Sequence, residues 1–327
     1  ALYQIRTLTP SGHPFYFGNA GIGHESFGGP AYFLYSKMFH QPEVAAWNRN
    51  EVSKALHGTQ MFDQVFFLSL PWFDTASVEE VSTVPALEVY HNKINDIVVF
   101  NGDHRKKGSV YLAAKGGLPN QAHQQMDCGT FIVESDGVLW TEDLGADDYD
   151  LPGFWDGKPG GERWKYFRNN NFSHNVINID HSLQYANGHA FVCEEQPEVK
   201  QPFATLNLCE VYREKAKSAY RKFTLIDDRT MEVEDEVELL DAYSRVTWVA
   251  GTKAEVKANG NKAVFVRNGK RFYMQIVAPA GAVFKTYPAK NTYKGEKPIK
   301  GITMLEAECM FKGTSGKVIV RMSSRKL

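Results

Sequence analysis

Short apolar runs separated by turn residues dominate the chain from about residue 61 onward. The runs are rich in Val, Ile, Phe, Tyr and Thr, and they fall at 108–114, 130–134, 138–142, 175–179, 203–212, 221–226, 230–239, 245–250, 262–267, 271–277, 303–311 and 317–322. Asn268-Gly269 lies at the centre of 264–273 and predicts a β-hairpin there. No useful helical run separates the strands, so the pattern predicts a mainly β fold, an antiparallel β-sandwich rather than a βαβ arrangement.

The first part of the chain follows a different pattern. Apolar residues near helical spacing predict a helix over 30–40 and a second helix from Pro42 through about Leu56. Two helices alone make a poor domain, so we interpret them as the end of a larger helical domain. The predicted organisation is a helical end at 1–60, a central antiparallel β-sandwich domain at 61–240 and a C-terminal β-sheet portion at 241–327.

Composition narrows the function classes. The 327 residues are 43% hydrophobic, which is ample for a large core, and the formal net charge of −1 lacks the strongly basic footprint of a nucleic-acid-binding protein. The sequence has no run of about 18 apolar residues, so no membrane span is expected. The 4 cysteines form no CxxC pair, which favours free thiols over a disulfide. The sequence contains no phosphate loop, no HExxH motif and no dinucleotide fingerprint.

Two polar clusters among the strand-like runs carry the candidate chemistry. The first, 122–129, contains His123, which suits a general base or a group that neutralises a substrate carboxylate; the alternative is a hydrogen-bonded loop histidine. The second, 172–175, contains His174. Together with Asp143 and Gln125 it could form a metal site, whereas the plain alternatives are a structural histidine and a turn carboxylate. Glu142 is expected to point away from Asp143 because strand residues alternate.

The long irregular stretch 144–170 is rich in aromatic and basic residues. Loops of this length inside a compact domain are usually functional or disordered, and this composition favours function. Tyr149, Trp155 and Arg168 are candidate substrate contacts, because aromatic faces stack on sugar rings and Arg pairs with carboxylate or sulfate. The same composition is compatible with single-stranded nucleic acid, or with an aromatic cluster that only packs the loop.

Several of these motifs occur in an order that resembles a known family. Lys115-Gly116-Gly117, then 123–131, then 137–145, then Arg168 and 173–175 look like the C-terminal region of the heparinase II/III-like polysaccharide lyases. Upstream, 9–12 and 17–21 resemble the junction where the helical toroid of that family ends. The resemblance by motif covers about the first 180 residues.

The resemblance implies an (α/α) toroid followed by antiparallel β-sandwich domains of the lyase supersandwich type. It implies β-elimination on an acidic polysaccharide that contains uronic acid, glycosaminoglycan-like or alginate-like, by a periplasmic or secreted bacterial enzyme. The toroid of such enzymes commonly supplies a tyrosine acid/base, and the β-domain supplies a histidine whose position matches His123. Some members bind zinc through positions that correspond here to Gln125, Asp143 and His174, so one divalent metal ion is the implied cofactor.

Two departures from the family pattern affect these expectations. Gln125 stands where zinc-binding members have a histidine, which leaves a weaker or harder divalent ion, or a metal-free hydrogen-bond network, as alternatives. Most of the toroid is absent from this chain; if the chain is a fragment, the catalytic tyrosine is missing and the chain alone should be nearly inactive. The rival functions are a non-catalytic carbohydrate-binding or assembly module and a glycoside hydrolase, although no pair of flanking carboxylates stands out. The oligomeric state and the particular polysaccharide stay open.

Overall fold

A computed structural model describes residues 2–20, 29–57, 71–73 and 84–327. Contacts between Cα atoms divide the chain into two compact units, one formed by residues 1–15 and 23–84 and the other by residues 16–22 and 85–327. Gly21 of the junction motif and most of the positions between 58 and 83, where the β pattern was predicted to begin, lie outside the described residues.

The first unit is helical where it is described. Its helices are α1 (Leu2–Arg6), α2 (Pro30–Phe39) and α3 (Pro42–Leu56). The last two confirm the predicted helices almost to the residue. Proline stands at the start of each, where its missing N–H is not needed. Helices α2 and α3 bury Phe33, Ala45 and Val52 in a common cluster. None of the described helices is long and apolar enough to cross a membrane.

The second unit is built from 17 strands. They are β1 (Leu87–Tyr90), β2 (Ile97–Asn101), β3 (Val110–Lys115), β4 (Phe131–Ser135), β5 (Val138–Leu139), β6 (Ile177–Ile179), β7 (Phe191–Gln196), β8 (Phe203–Asn207), β9 (Ala216–Asp227), β10 (Thr230–Leu239), β11 (Arg245–Thr252), β12 (Glu255–Asn259), β13 (Lys262–Arg267), β14 (Lys270–Ala278), β15 (Phe284–Pro288), β16 (Thr303–Met310) and β17 (Ser315–Ser323).

These strands form three antiparallel sheets. A five-stranded sheet has the order β1-β2-β3-β4-β5, an eight-stranded sheet has the order β12-β13-β14-β17-β10-β9-β8-β7, and a four-stranded sheet has the order β15-β16-β11-β6. Each named strand pair is antiparallel. The predicted fold class, mainly β with antiparallel sheets after a short helical segment, is confirmed.

The core lies where the five-stranded sheet meets the other two. Strands β2, β3 and β4 are buried along their whole length, so neither face of these central strands is solvated. Phe131 on β4 contacts Phe223 of the eight-stranded sheet at 5.9 Å and Trp248 of the four-stranded sheet at 6.1 Å between ring centroids. Trp140 stacks on Phe272 at 5.3 Å. This buried middle layer supports the polar loops that connect its strands.

The register confirms the predicted hairpin and bears on the predicted division at residue 240. Strands β13 and β14 pair directly from Arg267↔Lys270, and Asn268 and Gly269 between them both have the positive φ that their tight turn requires.

Strand β10, which ends at Leu239, pairs with β17 near the C-terminus. Strands from both sides of residue 240 therefore share one sheet, and residues 85–327 belong to one compact unit.

Candidate active site

His123 is held by its backbone and presents its ring to solvent. It is an exposed residue with φ of 64°, in the left-handed region, and its carbonyl oxygen accepts a hydrogen bond of 2.8 Å from the Asn19 backbone N–H. The neighbouring Gly18 has φ of +59°, and a Cβ at that position would lie 2.6 Å from the same carbonyl. A glycine is therefore needed where these two segments cross.

Two of the predicted substrate contacts lie beside this ring. Trp155 meets the imidazole of His123 edge-on at 5.3 Å, and Tyr149 lies 6.0 Å from it, both measured between ring centroids. Tyr149 and Trp155 contact each other at 5.2 Å and keep 42% and 55% of their surface exposed. The structure thus brings His123, Tyr149 and Trp155 together as an open aromatic cluster around an imidazole.

Asn19 belongs to this cluster, although the sequence analysis did not select it as a site residue. Its Nδ2 lies 3.3 Å from His123 Nδ1, while its Oδ1 accepts hydrogen bonds of 3.2 Å from Gln125 Nε2 and 3.2 Å from the guanidinium of Arg163. The residue lies 104 positions before His123, so spacing alone gave no sign of this contact. Its place in the junction motif after Gly18 was the one available signal.

Arg163 is a second missed residue, although it belongs to the loop singled out for its aromatic and basic composition. It is only 4% exposed and also donates to the carbonyls of Phe154 at 2.8 Å and Gln124 at 2.7 Å. Burial lowers the pKa of Arg163 to about 10, so the guanidinium stays charged at neutral pH. No carboxylate in the described part of the chain forms an ion pair with it, which leaves a buried positive charge close to His123.

A buried ion pair anchors the segment that carries His123. Lys115 at the end of β3 pairs with Asp127, and the two side chains are 1% and 0% exposed. Asp127 also accepts a hydrogen bond of 2.9 Å from the Gly18 N–H, while Lys115 donates to Gln124 at 3.3 Å and lies 5.2 Å from the ring of Phe17. Residues 17–19 and 123–127 are therefore fastened to each other around one charge pair.

His174 and Asp143, which sequence reasoning grouped together, are in direct contact. Their Nδ1 and Oδ2 atoms lie 2.9 Å apart, both side chains are buried, and the other carboxylate oxygen accepts from the Gly145 N–H at 2.9 Å. Burial by itself lowers the pKa of His174, but the charge of Asp143 and the hydrogen bond to it outweigh burial, so the pKa of His174 is raised. This dyad is internal, in contrast to the exposed His123.

Gln125 lies next to the dyad without completing a metal site. Besides Asn19 Oδ1, its Nε2 faces the Gly145 carbonyl and Asn169 Oδ1, both at 3.3 Å, so three acceptors share two N–H hydrogens. Its Oε1 is a buried atom without a partner, as is His174 Nε2. Asp143 offers one carboxylate, and the other available donors are His174 Nε2 and Gln125 Oε1. An amide oxygen is not among the usual zinc ligands, so the set supplies two of the three protein ligands that zinc takes at a minimum. No group of three His, Cys, Asp or Glu among the described residues is placed to hold a metal ion.

Arg168 and Glu142 are committed to structural contacts. Arg168 is 7% exposed and donates to Asp147 at 3.2 Å and to the Lys297 carbonyl at 2.6 Å. The guanidinium that was predicted to contact substrate is therefore buried in this structure. Glu142 accepts from Arg267 at 2.6 Å, away from the Asp143 dyad, although both residues follow the short strand β5 and are not part of it.

Cys128, inside the first polar cluster, is not placed to act as a nucleophile. Burial raises the pKa of its thiol to about 12, and a buried protonated thiol is unreactive. All four cysteines are free, as predicted. The chemistry that the site offers is therefore an exposed imidazole, aromatic surfaces and a nearby buried cation.

Comparison with known proteins places this arrangement in a family. The model of the heparinase II/III-like C-terminal family matches residues 98–302, which include both polar clusters and the long loop. The chain belongs to the heparinase II/III-like family. A search of curated proteins gave no match.

Solved structures share the fold at low sequence identity. The heparinase III BT4657 gene product matches with a TM-score of 0.65 and 15% identity, over 98% of this chain and 45% of that one. A heparan sulfate lyase HepC mutant from Pedobacter heparinus gives a TM-score of 0.67 and 12% identity, again over 98% and 45%. The chain therefore spans less than half the length of these heparinase structures, and the likeness at this identity concerns the fold.

Proposed function

We propose that this chain is the β-sheet part of a polysaccharide lyase that cleaves acidic, uronic-acid-containing polysaccharide, glycosaminoglycan-like or alginate-like, by β-elimination. The observation that carries the proposal is the exposed ring of His123, fixed from behind by Asn19 and flanked by Tyr149 and Trp155. A relationship to polysaccharide lyases follows from the family, and the match covers the segment that contains this cluster.

The chemistry of β-elimination explains why such a ring is useful. The proton at C5 of a uronate is weakly acidic, and its removal builds negative charge on the adjacent carboxylate. A group that neutralises this carboxylate stabilises the enolate-like transition state, a base takes the proton, and an acid protonates the leaving glycosidic oxygen. His123 is the group of this chain for an acid/base or carboxylate-neutralising role. The tyrosine expected from a helical toroid would act as its partner.

The charge of the site favours an anionic substrate. Lys115 and Asp127 neutralise each other, whereas the three acceptors of Arg163 are neutral oxygens. A buried charge in a low-dielectric setting is felt over several ångströms, because solvent screens it poorly. The positive potential of Arg163 thus reaches the neighbourhood of His123 and would attract a uronate carboxylate or a sulfate.

The aromatic pair gives the sugar a surface to pack on. Tyr149 and Trp155 are roughly half exposed, and each has a polar atom at the edge of an apolar ring, a combination suited to carbohydrate. Because a polymer of this kind does not pass a membrane unaided, a periplasmic or secreted location belongs to the same proposal.

The test is ultraviolet absorbance of the unsaturated uronate product. A panel of uronic-acid polysaccharides is incubated with this chain and with the longest protein that its gene encodes. We expect product from the longer form, and loss of at least about 100-fold in its rate after His123→Ala, which is the usual contribution both of a general acid or base and of a donor that stabilises developing charge. His91→Ala, at a histidine paired with Glu195 outside the cluster, is the matched control and should leave the rate unchanged.

Two outcomes would count against the proposal. Product formation that survives His123→Ala would remove the histidine from the mechanism. Binding of the polysaccharide without any unsaturated product, in the longer form as well, would identify the cluster as a carbohydrate-binding module instead.

A further inference from the structure

The orientation of the Asn19 amide follows from donor counting. A guanidinium can only donate, so the Asn19 atom that faces Arg163 at 3.2 Å must be the oxygen. Gln125 supports the same choice, because its Nε2 faces the Gly145 carbonyl, which can only accept, and the same Nε2 points at Asn19 Oδ1. The Nε2 of Gln125 has two hydrogens and three acceptors within reach, the third being Asn169 Oδ1, so the orientation rests on Arg163. A rotated Asn19 amide would place its NH2 group against the guanidinium N–H of Arg163.

This orientation dictates what His123 can do at Nδ1. The atom that Asn19 presents to the ring, at 3.3 Å, is the Nδ2 amide nitrogen, which is a donor. Nδ1 of His123 must therefore accept, and a proton on Nδ1 would set two N–H groups face to face. A neutral imidazole carries one proton, which then lies on Nε2. Within the described residues, Nε2 has no hydrogen-bond partner, so its N–H is available to a ligand.

We propose that Asn19 is a positioning residue that locks His123 in the Nε2–H tautomer, so that His123 acts as a neutral hydrogen-bond donor to the substrate carboxylate. The inference rests on the proposed lyase function for its chemical meaning. A ring locked in this way is not the base for the C5 proton, since Nε2 has no lone pair to offer and Nδ1 is covered. It is not the proton donor to the leaving oxygen either, since loss of the Nε2 proton would leave an imidazolate.

The remaining role is electrostatic. A neutral imidazole N–H aimed at a carboxylate stabilises the charge that develops there during proton abstraction, without a proton transfer of its own. The anchoring around it supports this role, because Arg163 fixes Asn19 through a buried guanidinium that stacks on Phe154 at 4.6 Å. Both proton transfers of the elimination then belong to groups other than His123.

The tautomer can be measured in the chain as it stands, without a substrate. Long-range ¹⁵N–¹H correlation spectra of the histidine-labelled 327-residue chain, recorded where the rings are neutral, distinguish the protonated from the bare ring nitrogen. The His123 signals are assigned as those missing from His123→Gln. We expect Nε2 to carry the proton in the unmodified chain, and Asn19→Asp, whose carboxylate can only accept, to move it to Nδ1. The signals of the other histidines serve as the internal check that the variant is folded.

A His123 that carries its proton on Nδ1 in the unmodified chain would overturn the inference, and this measurement needs no variant. A folded Asn19→Asp chain with an unchanged tautomer would also overturn it. In a form that yields unsaturated product, Asn19→Asp should lower kcat/KM about tenfold or more, mostly in kcat, because the donor helps most in the transition state. If the tautomer is as expected but no unsaturated product forms from any polymer, the lyase function fails and the assignment of Asn19 stands.

Discussion

Lys115 and Asp127 form an ion pair that is almost completely withdrawn from solvent, at the base of the loop that carries His123. Asp127 also accepts from the Gly18 N–H, and Lys115 also donates to Gln124 and lies over the ring of Phe17. The pair thus connects a strand end of the buried five-stranded sheet to both segments that build the exposed cluster. Its charge balance also leaves Arg163 as the uncompensated cation of the site.

Removing one member of this pair should be costly. Lys115→Met leaves the buried carboxylate of Asp127 without its cation, and we expect the free energy of unfolding to fall by about 3–5 kcal/mol in urea denaturation. Lys217→Met is the matched control, because Lys217 pairs with Glu238 at 2.9 Å on the surface, and such pairs contribute about 0–1 kcal/mol. A similar small loss for both variants would show that the buried pair is not needed to hold the loop.

Gly18 offers a test of the crossing between the Asn19 and His123 segments. Gly18→Ala must meet both a positive φ and a backbone oxygen 2.6 Å from the new Cβ, whereas Gly137→Ala meets a positive φ of 70° with nothing within 4 Å. The left-handed conformation costs either variant about 1–2 kcal/mol. We expect Gly18→Ala to lose clearly more than Gly137→Ala in the same denaturation experiment. Equal losses would mean that the two segments can separate freely.

The raised pKa of His174 gives a pH dependence with a definite sign. A histidine whose pKa is higher in the folded chain than the unfolded value of about 6.5 contributes stability below that value, and the contribution is lost as pH rises through the folded pKa. Unfolding free energies measured from about pH 6 upward should therefore decline as this window is crossed. In Asp143→Asn the main cause of the rise is gone and burial lowers the pKa of His174, so the slope should reverse. A slope unchanged by Asp143→Asn would refute the assigned cause.

Whether Gln125 prevents zinc binding beside His174 and Asp143 can be tested by restoring a histidine at position 125. The donors near His174 do not fit zinc because Gln125 supplies only an amide, and Gln125→His would add a second imidazole beside His174 and Asp143. We expect this variant to gain thermal stability with added zinc, by about 2.7 kcal/mol at 100 times its Kd, and to lose that gain with a chelator. Gln125→Leu, which fills similar space without a donor, should show no response. Zinc stabilisation of the unmodified chain equal to that of Gln125→His would contradict the assessment of the donor set.

The elements that sequence patterns predicted, and those that they missed, differ in where they lie in the sheets. The predicted runs match twelve of the strands, whose buried positions select Val, Ile and Phe. Strands β1, β7, β12 and β15 were missed. Each is an edge strand with at most one buried residue, so burial does not require an apolar pattern in its sequence. Strand β2 was missed as well, although its run Ile97–Phe100 is apolar and fully buried.

The sequence also revealed only some of the residues of the candidate site. His123, Tyr149 and Trp155 could be selected because their residue types are chemically distinctive, and the fold brings them together. Asn19 is an ordinary amide far from them along the chain. Its place in the site comes from side-chain contacts with His123, Gln125 and Arg163, which only the fold brings next to it. The sequence analysis selected Arg168 and not Arg163, although both lie in the same basic loop, and both are buried. What separates them is that Arg168 has a carboxylate partner while Arg163 has none in the described chain.

Trp155 provides the last prediction, which concerns substrate contact rather than stability. Its ring is 55% exposed beside His123, so Trp155→Ala should leave the free energy of unfolding within about 0.5 kcal/mol. An aromatic contact of this kind contributes about 0.5–1.5 kcal/mol, so affinity for a uronate oligosaccharide should fall about 2- to 12-fold in calorimetric titration. Tyr243→Ala is the control, since Tyr243 is 86% exposed and makes no ring contact with the cluster. Because the sugar ring would lie against one face of the indole, Trp155→Phe should keep much of the affinity. If Trp155→Ala and Tyr243→Ala lower the affinity equally, the polysaccharide does not bind at the cluster around His123.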